Sequence, residues 1–141
     1  MTRQAIIVAG GRGTRMKNEV PKQFLPLCGK PIVMHTLETF YNFDSHIELI
    51  LVLPEHLIAY WQNLCVEHQF DIPHHIVAGG QERFYSVKNG FVFAKPNALI
   101  AIHDGVRPFV SHSTLERCFR QAELQGNAIP AMPLVDSIRE I

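Results

Sequence analysis

Short, nearly unbroken apolar runs alternate along this chain with stretches whose apolar residues recur at helical spacing. Ala5-Ile6-Ile7-Val8-Ala9 is the first run, and its continuity predicts a strand buried on both faces of a parallel sheet. Pro31 stands where it can open a helix, with Val33, Leu37, Phe40 and Tyr41 as the apolar stripe. Ile47 to Leu53 reads as a second buried strand, closed by Pro54. Leu57, Tyr60, Trp61 and Leu64 predict a helix from Glu55 to about His68. Ile76-Val77-Ala78 is a brief third strand entering Gly79-Gly80, Val87 and Phe91 mark a helix beyond it, and Leu99-Ile100-Ala101-Ile102 forms the next strand. Ser113-Thr114-Leu115-Glu116 has the form of a capping box, and the stripe Leu115, Phe119, Ala122 continues to a stop at Gly126. Ala128-Ile129-Pro130-Ala131 begins another extended segment.

Strands alternating with helices predict an α/β layered fold with a mainly parallel sheet, whose ligands gather at the carboxyl ends of the strands. Three glycine-rich or charged turns follow strands: Gly10 to Lys22, Gly79 to Ser86 and His103 to Pro108. They are therefore expected to converge on one crevice. The chain has 141 residues, 47% of them hydrophobic, which suits a single compact domain. Thirteen basic residues balance thirteen acidic ones, so no global field draws it to nucleic acid or an anionic membrane, and any anion site must be local. No apolar run approaches the roughly 20 residues that span a bilayer. Cys28, Cys65 and Cys118 lack CxxC spacing, and no secretory apolar segment precedes the first strand. A reduced, cytoplasmic compartment is expected.

The first turn carries the candidate chemistry. A strand running into Gly10-Gly11-Arg12-Gly13 leaves bare amides for phosphate oxygens, and the neighbouring cations point to a polyphosphate. It is not a Walker loop, since the one Gly-Lys pair, Gly29-Lys30, is followed by Pro31. Nor does it match a dinucleotide fingerprint: Met16 occupies the third glycine position, and no acidic residue ends the second strand. What remains is a loop with two cation contacts, Arg15 and Lys22, spaced so that both can reach one triphosphate. The eight histidines do not form a metal site, because adjacent His74 and His75 point to opposite faces and no HExxH or Cys/His spacing occurs. His103 reads as a packed residue beside the site, and Tyr60 and Trp61 read as packing.

Taken together, the segments Ala9-Gly10-Gly11-Arg12-Gly13-Thr14-Arg15-Met16, Pro21-Lys22-Gln23, Gly79-Gly80-Gln81-Glu82-Arg83-Phe84-Tyr85-Ser86-Val87 and His103-Asp104-Gly105-Val106-Arg107-Pro108-Phe109 are similar, in order and spacing, to the signatures of the 2-C-methyl-D-erythritol 4-phosphate cytidylyltransferases. The resemblance implies a Rossmann-like α/β/α fold of the nucleotide-diphospho-sugar transferase type. It also implies transfer of CMP from CTP to a sugar-alcohol phosphate, methylerythritol phosphate, with release of pyrophosphate, in non-mevalonate isoprenoid synthesis.

By the same resemblance, Ala9 and the amides of Gly10, Gly11 and Gly13 hold the nucleotide, while Arg15 and Lys22 stabilise charge on the α-phosphoryl group and on the departing pyrophosphate. Gly79, Gly80 and Ser86 read the cytosine. Asp104 is the candidate to hold Mg²⁺ or its water shell, with a turn-forming aspartate as the plainer alternative. Asp104, Gly105, Arg107 and Ser137 form the acceptor side, and an Arg107 paired with Asp104 is the alternative there. Arg83 contacts the ligand or ties its loop down by an ion pair, and the structural role is favoured.

Gln81, Gly105 and Ser137 depart from the pattern, which has an acidic residue, alanine and threonine at these places; each keeps the polar or small character of its site. In the family a projecting β-arm crosses to a neighbouring subunit, so a homodimer is expected where that arm is present. Residues 1–141 match the nucleotidyltransferase domain up to about 134–141, where the arm begins. Two other readings stay open, a ribitol 5-phosphate cytidylyltransferase and a nucleotide-binding fragment without catalysis.

Overall fold

The computed structural model describes residues 1–10 and 20–139. Strand β1 (Arg3–Val8) is followed by a 3-10 turn (Lys22–Phe24) and a small antiparallel hairpin of β2 (Pro26–Leu27) and β3 (Lys30–Pro31). The hairpin turns through Cys28 and Gly29, both at positive φ, as a tight two-residue connection requires. Helix α1 (Ile32–Phe43), β4 (Glu48–Leu53), α2 (Ile58–Glu67), β5 (His75–Ala78), α3 (Arg83–Gly90), β6 (Leu99–Asp104) and α4 (His112–Gln125) complete the order.

The main sheet is parallel, in the order β5-β4-β1-β6, with Ile6 level with Ile50 on one side and Ile102 on the other. The chain thus steps from β1 through β4 to β5, then returns to lay β6 on the far side of β1. Right-handed crossovers place the helices of opposite steps on opposite faces of the sheet. Accordingly α1, α2 and α4 cover the face carrying Ala5, Ile7, Leu49, Leu51 and Leu53, while Val87 of α3 packs on the face carrying Ile6, Val8, Ile50 and Val52. The reversal between β1 and β6 opens a crevice at their carboxyl ends, the position where open α/β sheets bind ligands.

The opposite end of the sheet is closed by polar groups. Gln4 is fully buried, and its amide donates to Glu48 and to the Phe93 carbonyl while its oxygen accepts from the Lys95 amide. Arg3 lies over the rings of Phe43 and Phe119 and pairs with Asp44 and Glu116, joining β1, α1 and α4. Three expectations need correction. Helix α4 is capped by Ser111, whose hydroxyl accepts from the Thr114 amide at 3.1 Å; Ser113 lies inside the helix, and Glu116 is engaged by Arg3. Phe91 falls in a separate 3-10 turn (Phe91–Phe93), because α3 ends at Gly90, where a side chain would collide with Ile6. Residues 128–131 form no strand. Among the described residues no helix is long and apolar enough to cross a membrane.

Trp61 is the largest fully buried side chain, stacked on Phe24 and edge-on to Phe70. Its indole N–H donates to His74 Nε2 at 3.0 Å, and His74 Nδ1 meets the Ile72 carbonyl at 2.7 Å, which fixes the neutral tautomer with its proton on Nδ1. Desolvation holds His74 below the ordinary histidine value, outweighing the opposing Ile72 bond. A depressed folded-state value means that the unfolded chain takes up the proton first. His74 therefore contributes stability at neutral and higher pH, and that contribution is lost as the pH falls from about 6.5 through the lower folded value. The melting temperature should drop more steeply between pH 7 and pH 5 in the wild type than in His74→Gln; parallel profiles would refute the assignment. Cys65 is likewise inert, since burial pushes its thiol up to about 11.

Candidate active site

The three strand-end turns meet through short contacts. The ladder continues past β1, with the Ala9 amide donating to the Val52 carbonyl, and β6 turns back onto it, with the Gly105 amide donating to the Val8 carbonyl at 2.8 Å. Ser86, buried at the first turn of α3, is the junction of the other two turns. A Cβ added to Gly10 would stand 3.1 Å from its Oγ, and one added to Gly79 would stand 2.9 Å from it. The same Oγ accepts from the Gly80 amide at 3.2 Å. Gly80 has no room for a side chain, since its Cβ would lie 2.3 Å from that of Tyr85. These glycines bring the backbone up to a hydroxyl and keep it bare.

Asp104, at the end of β6, closes the mouth. Its Oδ1 accepts from Arg83 Nη2 at 3.0 Å and Nε at 3.3 Å, and its Oδ2 accepts from Arg107 Nε at 3.1 Å. Arg83 thus has the structural pairing favoured from sequence, and Arg107 makes the ion pair that was its alternative reading. Both guanidinium groups are largely exposed, so each pair contributes at most about 1 kcal/mol and exchanges readily for a stronger anion. The cluster carries one surplus positive charge beside the glycine turns.

Two threonines that the sequence did not single out, together with His103, hold this turn from behind. Thr36 of α1, fully buried, donates from its hydroxyl to the Gly105 carbonyl at 2.6 Å. Thr39 shares its hydroxyl proton between the His35 and Pro108 carbonyls, and His103, edge-on to Phe40, donates from Nε2 to the Arg107 carbonyl at 2.7 Å. Thr36 was detectable in principle, because it is a polar residue on the buried stripe of Val33, Leu37 and Phe40, and such a residue needs a partner. Thr36→Val should cost roughly 1–3 kcal/mol in urea unfolding by leaving the Gly105 carbonyl unpaired, with Thr36→Ser recovering most of it.

Lys22 is exposed at the head of the 3-10 turn, behind Pro21, while Gln23 and Phe24 are buried. Gly11, Gly13 and Arg15 lie outside the described residues. Ser137 is exposed in the stretch after α4 and, among the described residues, makes no hydrogen bond to the crevice. No group of three or more His, Cys, Asp or Glu able to hold a metal occurs among the described residues. Asp104 is a single carboxylate, which suits a cation carried mainly by substrate phosphates and water.

Residues 4–141 match the family model for 2-C-methyl-D-erythritol 4-phosphate cytidylyltransferase. A curated relative of that description from Bacteroides fragilis is 50% identical over the whole chain, which spans 64% of the relative's length. A solved 4-diphosphocytidyl-2C-methyl-D-erythritol synthase from Anaerococcus prevotii superposes with a TM-score of 0.67 at 27% identity, covering 84% of this chain and 49% of that one. A Mycobacterium tuberculosis protein, Rv0371c, solved as a manganese complex, shares the fold at 21% identity and a TM-score of 0.66, covering 88% of this chain and 61% of its own. A match running from the second residue of β1 to the end of the chain, through all three turns of the crevice, places this chain in the 2-C-methyl-D-erythritol 4-phosphate cytidylyltransferase family.

Proposed function

We propose that the chain binds CTP in the crevice between β1 and β6 and transfers its CMP group to 2-C-methyl-D-erythritol 4-phosphate, releasing pyrophosphate. The observation that carries this reading is the junction at Ser86, where the bare backbones of Gly10 and Gly79 meet one buried hydroxyl beside the Arg83–Asp104–Arg107 cluster. Ser86 and the Gly79–Gly80 backbone suit recognition of the polar edge of cytosine, and the close approach leaves little space for a purine. In this reading Ala9, Gly10, Gly11 and Gly13 are the residues that bind the triphosphate.

The acceptor's phosphate is already ionised at neutral pH, so its oxygen needs no strong base. It attacks the α-phosphorus, a new phosphorus–oxygen bond forms, and the bond to the bridging oxygen breaks so that pyrophosphate leaves with the electron pair. Rate then depends on holding the two phosphates in line and on countering the charge that grows on the leaving group. Lys22, with Arg15, supplies that charge. Arg107 is the acceptor-side cation, since a guanidinium matches a phosphate in a two-point contact, and Asp104 is freed as the phosphate replaces it. Asp104 would hold a divalent cation, Mg²⁺ in this reading, directly or through water, and the chemistry supplied would be neutralisation of phosphate oxygens. Gly105 and Ser137 complete the acceptor side. The cytoplasm is the proposed location, with a homodimer as the proposed assembly.

Incubation with Mg²⁺, CTP and either methylerythritol phosphate or ribitol 5-phosphate, followed by pyrophosphate measurement, tests the reading. Release with methylerythritol phosphate is expected. Release with ribitol phosphate alone would replace the acceptor, and CTP binding with no release from either would leave a nucleotide-binding unit.

A further inference from the structure

Gln23 is a buried polar side chain with no part in the chemistry above, being only 2% exposed between the exposed Lys22 and the buried Phe24. Its Nε2 donates at 2.8 Å to the carbonyl of Ala9, the residue from which the glycine turn departs. The other hydrogen bonds of this region explain why that carbonyl needs a partner. Beyond the end of β1, the Ala9 amide is used by Val52 and the Val8 carbonyl by Gly105, which leaves the Ala9 carbonyl facing the 3-10 turn. The turn itself is closed by the Phe24 amide on the Pro21 carbonyl and the Leu25 amide on the Lys22 carbonyl. It is seated by the Phe24 ring against Tyr60 and Trp61. Among the described residues, Gln23 supplies the side-chain hydrogen bond between that turn and the end of β1. It joins the turn to the residue before Gly10 and so sets how far Lys22 stands from the Gly10 amide.

We infer that Gln23 is a positioning residue, which fixes the lysine of the 3-10 turn relative to the phosphate-binding end of β1. The inference rests on the reading of Lys22 as a phosphate contact. A glutamine suits the task because its amide spans from the turn to the carbonyl and carries no charge that would compete for the ligand. Glutamate would set a carboxylate against the Ala9 carbonyl, asparagine is one methylene too short, and methionine fills the space without a donor.

The test is a double-mutant cycle on CTP affinity, measured by calorimetry with Mg²⁺ for the wild type, Gln23→Met, Lys22→Ala and the double variant, each checked for folding by thermal melting. Gln23→Met is expected to weaken CTP binding about fivefold, and the double variant to bind no more weakly than Lys22→Ala alone, because the glutamine acts through the lysine. If the two losses multiply, Gln23 acts elsewhere and the inference fails. It fails equally if Gln23→Met binds as the wild type does. Should Gln23→Met melt too low to assay, Gln23→Asn is measured in its place under the same criteria. A wild-type chain that does not bind CTP would defeat the proposed function itself, a result distinct from either failure.

Discussion

Replacing Lys22 by alanine is expected to lower the rate of pyrophosphate release about 10²- to 10³-fold while raising the KM for CTP by less than tenfold. Lys22 is exposed at the head of a 3-10 turn whose next two residues are buried, so its backbone is fixed while its side chain stands open to solvent. Among the described residues it has no carboxylate partner, in contrast to Arg83 and Arg107. A cation placed for the departing pyrophosphate gains most as charge develops, so its removal shows in kcat more than in ground-state affinity. Lys22→Arg, which keeps the charge but not its position, should fall between. Steady-state kinetics with varied CTP make the measurement, and full turnover by Lys22→Ala would end the proposed mechanism.

Trp61→Ala is expected to cost about 3–5 kcal/mol, a large share of the stability of a domain this size. The indole is fully buried, stacks on Phe24 with ring centres 5.9 Å apart, and donates a hydrogen bond to His74 Nε2. Its loss leaves a cavity under the 3-10 turn and an unpartnered ring nitrogen on His74. The corresponding fall in melting temperature is roughly 10–20 °C. Urea titration should show a lower midpoint with an unchanged slope, and a midpoint shift worth less than about 1 kcal/mol would show that the core closes over the gap. Trp61→Phe, which keeps a ring but not the N–H, separates packing from hydrogen bonding.

The sheet was legible because its strands are covered on both faces and so read as continuous apolar runs: Ala5–Val8 and Leu49–Leu53 are all buried. The convergence of the turns was legible for the same reason, since parallel strands present the same end to the same side. The boundary of α4 was not. Ser111 and Ser113 are the same residue type, and only the backbone conformation, with Ser111 extended, decides which one caps. Gln23 could not be read from spacing, because its partner is a backbone carbonyl 14 residues away. The fate of Arg107 was also beyond sequence: Asp104, three residues earlier, is at once its neighbour and its competitor for any arriving phosphate.

The Arg83–Asp104–Arg107 mouth has a consequence for how ligands arrive. The chain as a whole is electrically balanced, with thirteen charges of each sign, yet this rim holds two guanidinium groups for one carboxylate. A small anion near this rim therefore meets a local positive charge that the balance of the whole chain hides. Small anions are drawn to that rim during approach, and a polyanionic surface large enough to feel the balancing charges elsewhere gains nothing by comparison.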